Sequence, residues 1–79
     1  MTPIYIIRVK KAPGESLAGR YIHGPSTPAE VKRLGYHFGT EAEKAWPFPS
    51  EKQAVLKARI VERHMSQPVG WMEVLVMVG

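Results

Sequence analysis

The chain contains no cysteine among its 79 residues. This absence excludes disulfides and thiolate chemistry, and it is typical of proteins in a reducing cytoplasm. Long apolar runs are also missing, since the longest, Val74 to Val78, falls far short of the ~18 residues that span a bilayer. The first residues, MTPIYIIRVK, show neither a charged start nor a cleavage site. We therefore expect a cytoplasmic protein without a signal peptide or a membrane contact.

Residue patterns that carry chemistry are scarce as well. The three histidines, His23, His37 and His64, lie far apart and have no partner at i,i+4, whereas metal ligands usually occur in pairs. Ser16 lies in GESLA, which ends in alanine and follows no strand-to-helix pattern of a nucleophile elbow. No phosphate-binding loop and no convincing acid–base pair of carboxylates is present. The sequence therefore predicts neither an enzyme nor a metal or cofactor site.

Length and composition indicate one small globular domain over residues 1–79. The chain is 44% hydrophobic and 23% charged, which is typical of an ordinary folded domain. At this length a chain has room for a single core. The formal net charge is +4 and the sequence pI is about 9.7, so an acidic partner is favoured.

The order of the sequence patterns predicts an α+β fold. The predicted elements are a strand at 4–10 (IYIIRVK), a second strand at 20–23, a short helix opened by the capping pattern Thr27-Pro28-Ala29-Glu30, a short third strand at 36–38, one main helix and a C-terminal strand in GWMEVLVMVG. The first two strands form a β-hairpin. We expect a small, mostly antiparallel sheet with the main helix packed on one face.

A capping box, Ser50-Glu51-Lys52-Gln53, marks the start of the main helix, which should run from Glu51 to about Met65. Prolines on both sides of Phe48 set the entry into this helix. At about 100° per residue, the apolar residues Ala54, Ala58, Val61 and Met65 share one stripe. We expect Leu56 and Ile60 to widen that stripe, and Lys52, Arg59 and Arg63 to lie on the opposite side.

The sheet face away from the helix is the candidate binding site. Alternation places Met72, Val74, Val76 and Val78 toward the helix and Trp71, Glu73, Leu75 and Met77 on the other face. We expect Tyr5, Ile7 and Val9 to share that open face. The predicted partner-binding residues are Tyr5, Ile7, Trp71, Leu75 and Met77 on the sheet with the helical cations Lys52, Arg59 and Arg63. An exposed apolar patch of this kind usually marks an interface, with another protein or in a homodimer; residues 24–48 folding over it is the alternative.

A basic single-stranded nucleic-acid binder is the rival hypothesis. In this hypothesis the bases of the nucleic acid stack on Tyr5 or Tyr21, and the same basic residues contact the phosphates. No RNP-like aromatic signature or recognition-helix motif supports it.

The stretch GTEAEKAWPFPSEKQAVLKARI resembles a pattern of small uncharacterised phage and bacterial proteins. The matching residues are Thr40, Ala45, Phe48, Ser50, Ala54 and Ala58, between a hairpin and a valine-rich strand. By size and architecture such proteins are similar to phage-encoded inhibitors, including anti-CRISPR proteins. The resemblance implies a steric inhibitor that binds a host protein or a ribonucleoprotein complex handling nucleic acid.

Overall fold

The computed structural model describes residues 3–24 and 28–77, and it confirms the predicted α+β class. Its elements are β1 (Ile4–Val9), β2 (Tyr21–Gly24), α1 (Pro28–Leu34), β3 (His37–Gly39), a 3₁₀ turn (Ala42–Lys44), α2 (Glu51–His64) and β4 (Met72–Met77). The strands form one antiparallel sheet in the order β3-β2-β1-β4. The predicted cap Thr27 and the predicted strand residue Val78 lie outside the described residues.

Helix α2 begins where the capping box predicts. The Ser50 side chain accepts a hydrogen bond from the Gln53 backbone N–H at 3.2 Å, which satisfies one of the unpaired donors of the first turn. Ala54, Ala58 and Val61 are fully buried against the sheet. The two alanines allow the helix to lie close to the strands, and Met65 ends it as the C-cap.

The segment before α2 also completes the sheet. Phe48 exchanges two backbone hydrogen bonds with Tyr5, at 2.8 and 2.9 Å, and the Trp46 N–H donates to the Ile22 carbonyl at 2.9 Å. β2 pairs with the second half of β1, where Arg8 lies opposite Tyr21. Residues 46–48 therefore take the place of a strand beside the first half of β1, and the Trp46 and Phe48 rings pack against the core.

The register between β1 and β4 shows that the side chains of β1 were assigned to the wrong face of the sheet. Tyr5 lies opposite Val76, Ile7 opposite Val74 and Val9 opposite Met72. Directly opposite residues of an antiparallel pair share a face, and here that face carries α2, because Ile7 and Val9 are 0% exposed in the cluster with Ala54 and Ala58. Tyr5 packs partly buried against the same cluster. Tyr5 and Ile7 are thus core residues.

The face away from α2 carries the alternate residues of β1, which are Ile4, Ile6 and Arg8. Ile4 lies opposite Met77, Ile6 opposite Leu75 and Arg8 opposite Glu73. Arg8 Nε donates to the Glu73 carboxylate at 2.8 Å, and both side chains are about three-quarters buried, with 24% and 28% exposed. Ile6 is buried and Leu75 and Met77 are partly buried, so this face exposes less apolar surface than we expected.

Trp71 is the other predicted anchor that the structure removes from the open face. Its ring packs against the core cluster and meets Phe38 edge-on, with ring centroids 6.3 Å apart. The indole N–H donates to Glu15 at 2.8 Å. Phe38 belongs to the middle segment, but it meets Trp71 beside the core cluster, so this contact does not show residues 24–48 covering the open face.

A buried carboxylate connects α2 to β4. Glu62 is 1% exposed and accepts hydrogen bonds from the backbone N–H groups of Gly70 at 3.0 Å and Met72 at 2.8 Å. Arg59 pairs with the same carboxylate, with Nε 2.7 Å from Oε1. A buried charge is tolerated only when it is paired and hydrogen-bonded, and this arrangement meets both requirements.

Candidate functional site

Two large apolar side chains are exposed next to each other on the side of α2 that faces away from the sheet. Leu56 and Ile60 are each 56% exposed. We expected both to widen the buried stripe, but at about 100° per residue they lie on the side of the helix opposite Ala54 and Ala58. Two neighbouring aliphatic residues that lie outside the core cluster and stay more than half exposed are candidates for an intermolecular contact.

These side chains form part of two adjoining concave regions. The first has a volume of about 450 Å³ and is lined by Leu56, Arg59, Ile60, Arg63 and His64. The second, about 470 Å³, is a groove between α1 and α2 lined by Val31, Lys32, Tyr36, Lys57, Ile60 and His64. Ile60 and His64 line both regions, so they form one continuous surface. We call this surface, defined by the residues of both regions, the α2 outer surface.

Aromatic and cationic side chains contact one another in and beside the groove. The Tyr36 and His64 rings meet edge-on with centroids 5.1 Å apart. Lys57 Nζ lies 5.5 Å from the Tyr36 ring centroid and 4.7 Å from that of Trp46, which is within cation–π range. Burial lowers the pKa of Lys57 and raises the pKa of Tyr36. Lys57 thus lies over both rings at cation–π distance.

The charge around the apolar centre is positive. Lys32, Lys52 and Arg63 are exposed, and none of them makes an ion pair within the described ranges of the chain. Arg59 differs, because its guanidinium is paired with buried Glu62 and its side chain is only 37% exposed. Of the predicted cations Lys52, Arg59 and Arg63, Arg59 therefore has a structural role, while the other two form no ion pair with any residue that the structure describes.

The predicted site residues do not form one surface. Leu75 and Met77 lie on the sheet face away from α2, whereas Lys52 and Arg63 lie on the outside of α2. The sheet separates the two sets. Sequence reasoning missed Leu56, Ile60 and the groove residue Tyr36, although the helical angle of Leu56 and Ile60 was a usable signal.

A comparison with protein-family models found no match, and comparisons with curated proteins and with solved structures found none either. The resemblance to small phage and bacterial proteins therefore stays a prediction. Among residues 3–24 and 28–77, no three metal-ligating side chains lie together. Within the same residues no helix is long and apolar enough to cross a membrane.

Proposed function

We propose that this protein is a non-catalytic protein-binding module whose α2 outer surface docks an acidic, amphipathic segment of a partner. The observation that carries the proposal is the exposure of Leu56 and Ile60, 56% each, at the centre of a basic rim. Apolar centres surrounded by polar or charged rims are typical of protein interfaces. The cationic rim selects a partner of opposite sign.

The concave shape favours a helical partner segment. An amphipathic helix in a groove places apolar residues at i, i+3 or i+4 into successive hollows. The two regions that meet at Ile60 offer two such hollows. Glutamate or aspartate on the flanks of the segment would meet Lys32 and Arg63, whose charges have no partner within the described residues.

The chemistry of the surface favours protein over nucleic acid. Single-stranded nucleic acid binds by stacking its bases on exposed aromatic rings. Each of the seven aromatic side chains in this chain is partly buried. Tyr5, one expected stacking residue, packs on the core, and Tyr36 and Trp46 lie under Lys57. The exposed centre is aliphatic, which matches apolar side chains better than bases.

A steric inhibitor of a host nucleic-acid-handling complex, as the resemblance implies, is one form this function takes. Such an inhibitor needs no catalytic group, because it acts by covering a surface that its target uses. The α2 outer surface is suited to acidic protein segments at a target's surface. The identity of the target and a phage origin rest on the resemblance alone.

Binding of defined peptides tests the docking proposal. The probe is a fluorescent helical peptide with leucines at i and i+4 and glutamates on its flanks, measured by anisotropy. We expect Ile60→Asp to weaken binding at least about tenfold, equal to about 1.4 kcal/mol. Val69→Asp is the matched control, because Val69 is 79% exposed but lies outside the α2 outer surface. Equal binding by both variants would overturn the proposal.

Two further probes separate the partner classes. A peptide with lysines in place of the glutamates should not bind, since the rim would repel it. Oligothymidylate measured over a series of salt concentrations tests the rival function: tight binding that falls steeply with salt and is unaffected by Ile60→Asp indicates a nucleic-acid binder.

A further inference from the structure

The two edges of the sheet are built differently. At one edge, β3 has only three residues, and its pairing with β2 is irregular between Ile22 and Gly24. Short strands and bulges are devices that prevent edge-to-edge association. At the other edge, β4 is a regular six-residue strand, MEVLVM, without proline, lysine or a bulge. The β4 edge therefore lacks the usual protection.

The hydrogen-bond pattern shows which groups of β4 point outward. The Lys10 N–H donates to the Trp71 carbonyl, and the Val9 N–H donates to the Arg20 carbonyl on the opposite side of β1. In an antiparallel pair, backbone groups alternate between facing the partner and facing away. Met72, Val74 and Val76 consequently direct their N–H and C=O groups away from β1.

Helix α2 covers only the beginning of this edge. The Met72 N–H donates to Glu62, and the Met72 carbonyl lies 3.4 Å from an Arg59 nitrogen. The helix starts on the other side of β1, after Phe48, so it crosses the sheet diagonally and leaves the end of β4 open. Val76 is 58% exposed there, and Val55 on the adjoining flank of α2 is 37% exposed. No strand among the described residues lies beyond β4.

We propose that β4 pairs antiparallel with β4 of a second copy of this chain, forming a continuous sheet across a two-fold axis. A register centred on Leu75 places Val74 of each copy opposite Val76 of the other. The outward N–H and C=O groups of both valines are then paired in reciprocal hydrogen bonds. The contact is isologous, so it closes as a dimer.

The sequence of β4 fits a second copy of itself. Val74-Leu75-Val76 reads the same in both directions, so each copy presents the same side chains to its partner. In this register Glu73 faces Met77 of the other copy, which keeps the two carboxylates apart. The pairing buries Val76 of both copies. Because each copy carries a net charge of +4, added salt should strengthen the dimer by screening repulsion.

Variants at Val76 test the pairing without disturbing the monomer. The Val76 N–H points outward, so Val76→Pro removes a donor that β1 does not use, a position where edge strands tolerate proline. Val76→Lys adds a charge at the same point, and Val69→Lys is the control for charge elsewhere. Sedimentation velocity should show the native chain and Val69→Lys as dimers at about 100 μM, a range where weak homodimers with micromolar affinity form. Both Val76 variants should sediment as monomers with unchanged circular dichroism.

Hydrogen exchange gives an independent readout. The Val74 and Val76 amides should exchange at least about tenfold more slowly in concentrated than in dilute samples, because only the dimer protects them. A native chain that stays monomeric at about 1 mM overturns the proposal. So does a dimer that survives Val76→Pro, since it would use a different surface. An extended peptide that pairs with β4 of a monomeric chain would identify a different occupant and also overturn it.

Discussion

The Glu62 carboxylate of α2 accepts a hydrogen bond from the Met72 backbone N–H at 2.8 Å, and so joins the helix to the first residue of β4. The same carboxylate binds the Gly70 N–H and pairs with Arg59. The turn that leads from the helix back to the sheet is thus held by one side chain with 1% exposure.

Replacing Glu62 should strongly destabilise the fold. In Glu62→Ala, two backbone donors and the Arg59 guanidinium lose their buried partner, and breaking a buried ion pair costs about 3–5 kcal/mol. This is a large share of the ~5–15 kcal/mol that stabilises a typical domain. Urea unfolding monitored by circular dichroism measures it. Glu51→Ala, an exposed glutamate in the same helix, should change the free energy of unfolding by less than about 0.5 kcal/mol. If Glu62→Ala lowered the free energy of unfolding no more than Glu51→Ala does, the contacts of Glu62 with β4 would not stabilise the fold.

Gly39 is required by the His23 ring beside it. A Cβ added at Gly39 would overlap the imidazole of His23, whose Nε2 lies 2.8 Å from the Glu41 carbonyl. Overpacking of this kind costs about 1–3 kcal/mol, so Gly39→Ala should lower the free energy of unfolding by that amount. In a His23→Ala background the same change should cost much less, because the overlapping ring is gone. A full double-mutant cycle by urea unfolding measures this coupling, and additive effects would contradict it.

Protonation of Glu15 should be visible in the fluorescence of Trp71. The indole N–H of Trp71 at 2.8 Å, and then the Leu17 backbone N–H at 3.2 Å, hold the pKa of the Glu15 carboxyl below its ordinary value. The stability from this group is present above the ordinary glutamate pKa and is lost as pH falls through the lowered one. In Trp46→Phe, Trp71 is the remaining tryptophan, and its emission should titrate with a midpoint below the ordinary glutamate range. With Glu15→Gln added, this transition should disappear; its persistence would assign it to another group.

The burial of Lys57 and Tyr36 predicts a specific dependence of the free energy of unfolding on alkaline pH. Because burial lowers the pKa of Lys57, the folded state loses this proton before the unfolded state does. Between the folded and the ordinary lysine pKa the unfolded state binds more protons, so the contribution of Lys57 to stability rises with pH. Burial raises the pKa of Tyr36, so its contribution falls as pH rises above the ordinary tyrosine pKa.

Two variants separate these opposing contributions. Compared with the native chain, Lys57→Met should lose the rise in the free energy of unfolding, and Tyr36→Phe should lose the fall. Lys52→Met is the control, because Lys52 is exposed on the same helix. Unfolding by urea over a series of alkaline pH values gives the three curves. If Lys57→Met parallels the native chain throughout, burial does not perturb this lysine.

Local signals in the sequence were sufficient to predict the helices and strands, but not which face of the sheet each side chain of β1 occupies. Ser50 and the alanines at 54 and 58 fixed the start and the buried side of α2, because capping and helical periodicity act within a few residues. The register of β1 against β4 joins residues at opposite ends of the chain, and a slip of one residue exchanges the two faces. That is why Tyr5 and Ile7 were assigned to the wrong side.

The candidate site was harder to predict than the fold. Leu56 and Ile60 look like core residues by type, and only their angle relative to Ala54 shows that they face outward. Glu62 reads as a surface residue by type, and its burial follows from a turn whose path the sequence does not specify. Lys52 and Arg63 were correctly placed opposite the buried stripe, since both are exposed.

The pairing of β1 with β4 also limits when this chain can fold. β1 is made first, but its longest ladder joins it to residues 72–77, and its other neighbours include Phe48. During synthesis the ribosome therefore releases β1 long before the partners that bury Ile7 and Val9 exist. We expect the nascent chain to stay unfolded until β4 has left the exit tunnel, so its first strand needs protection from aggregation in the interval.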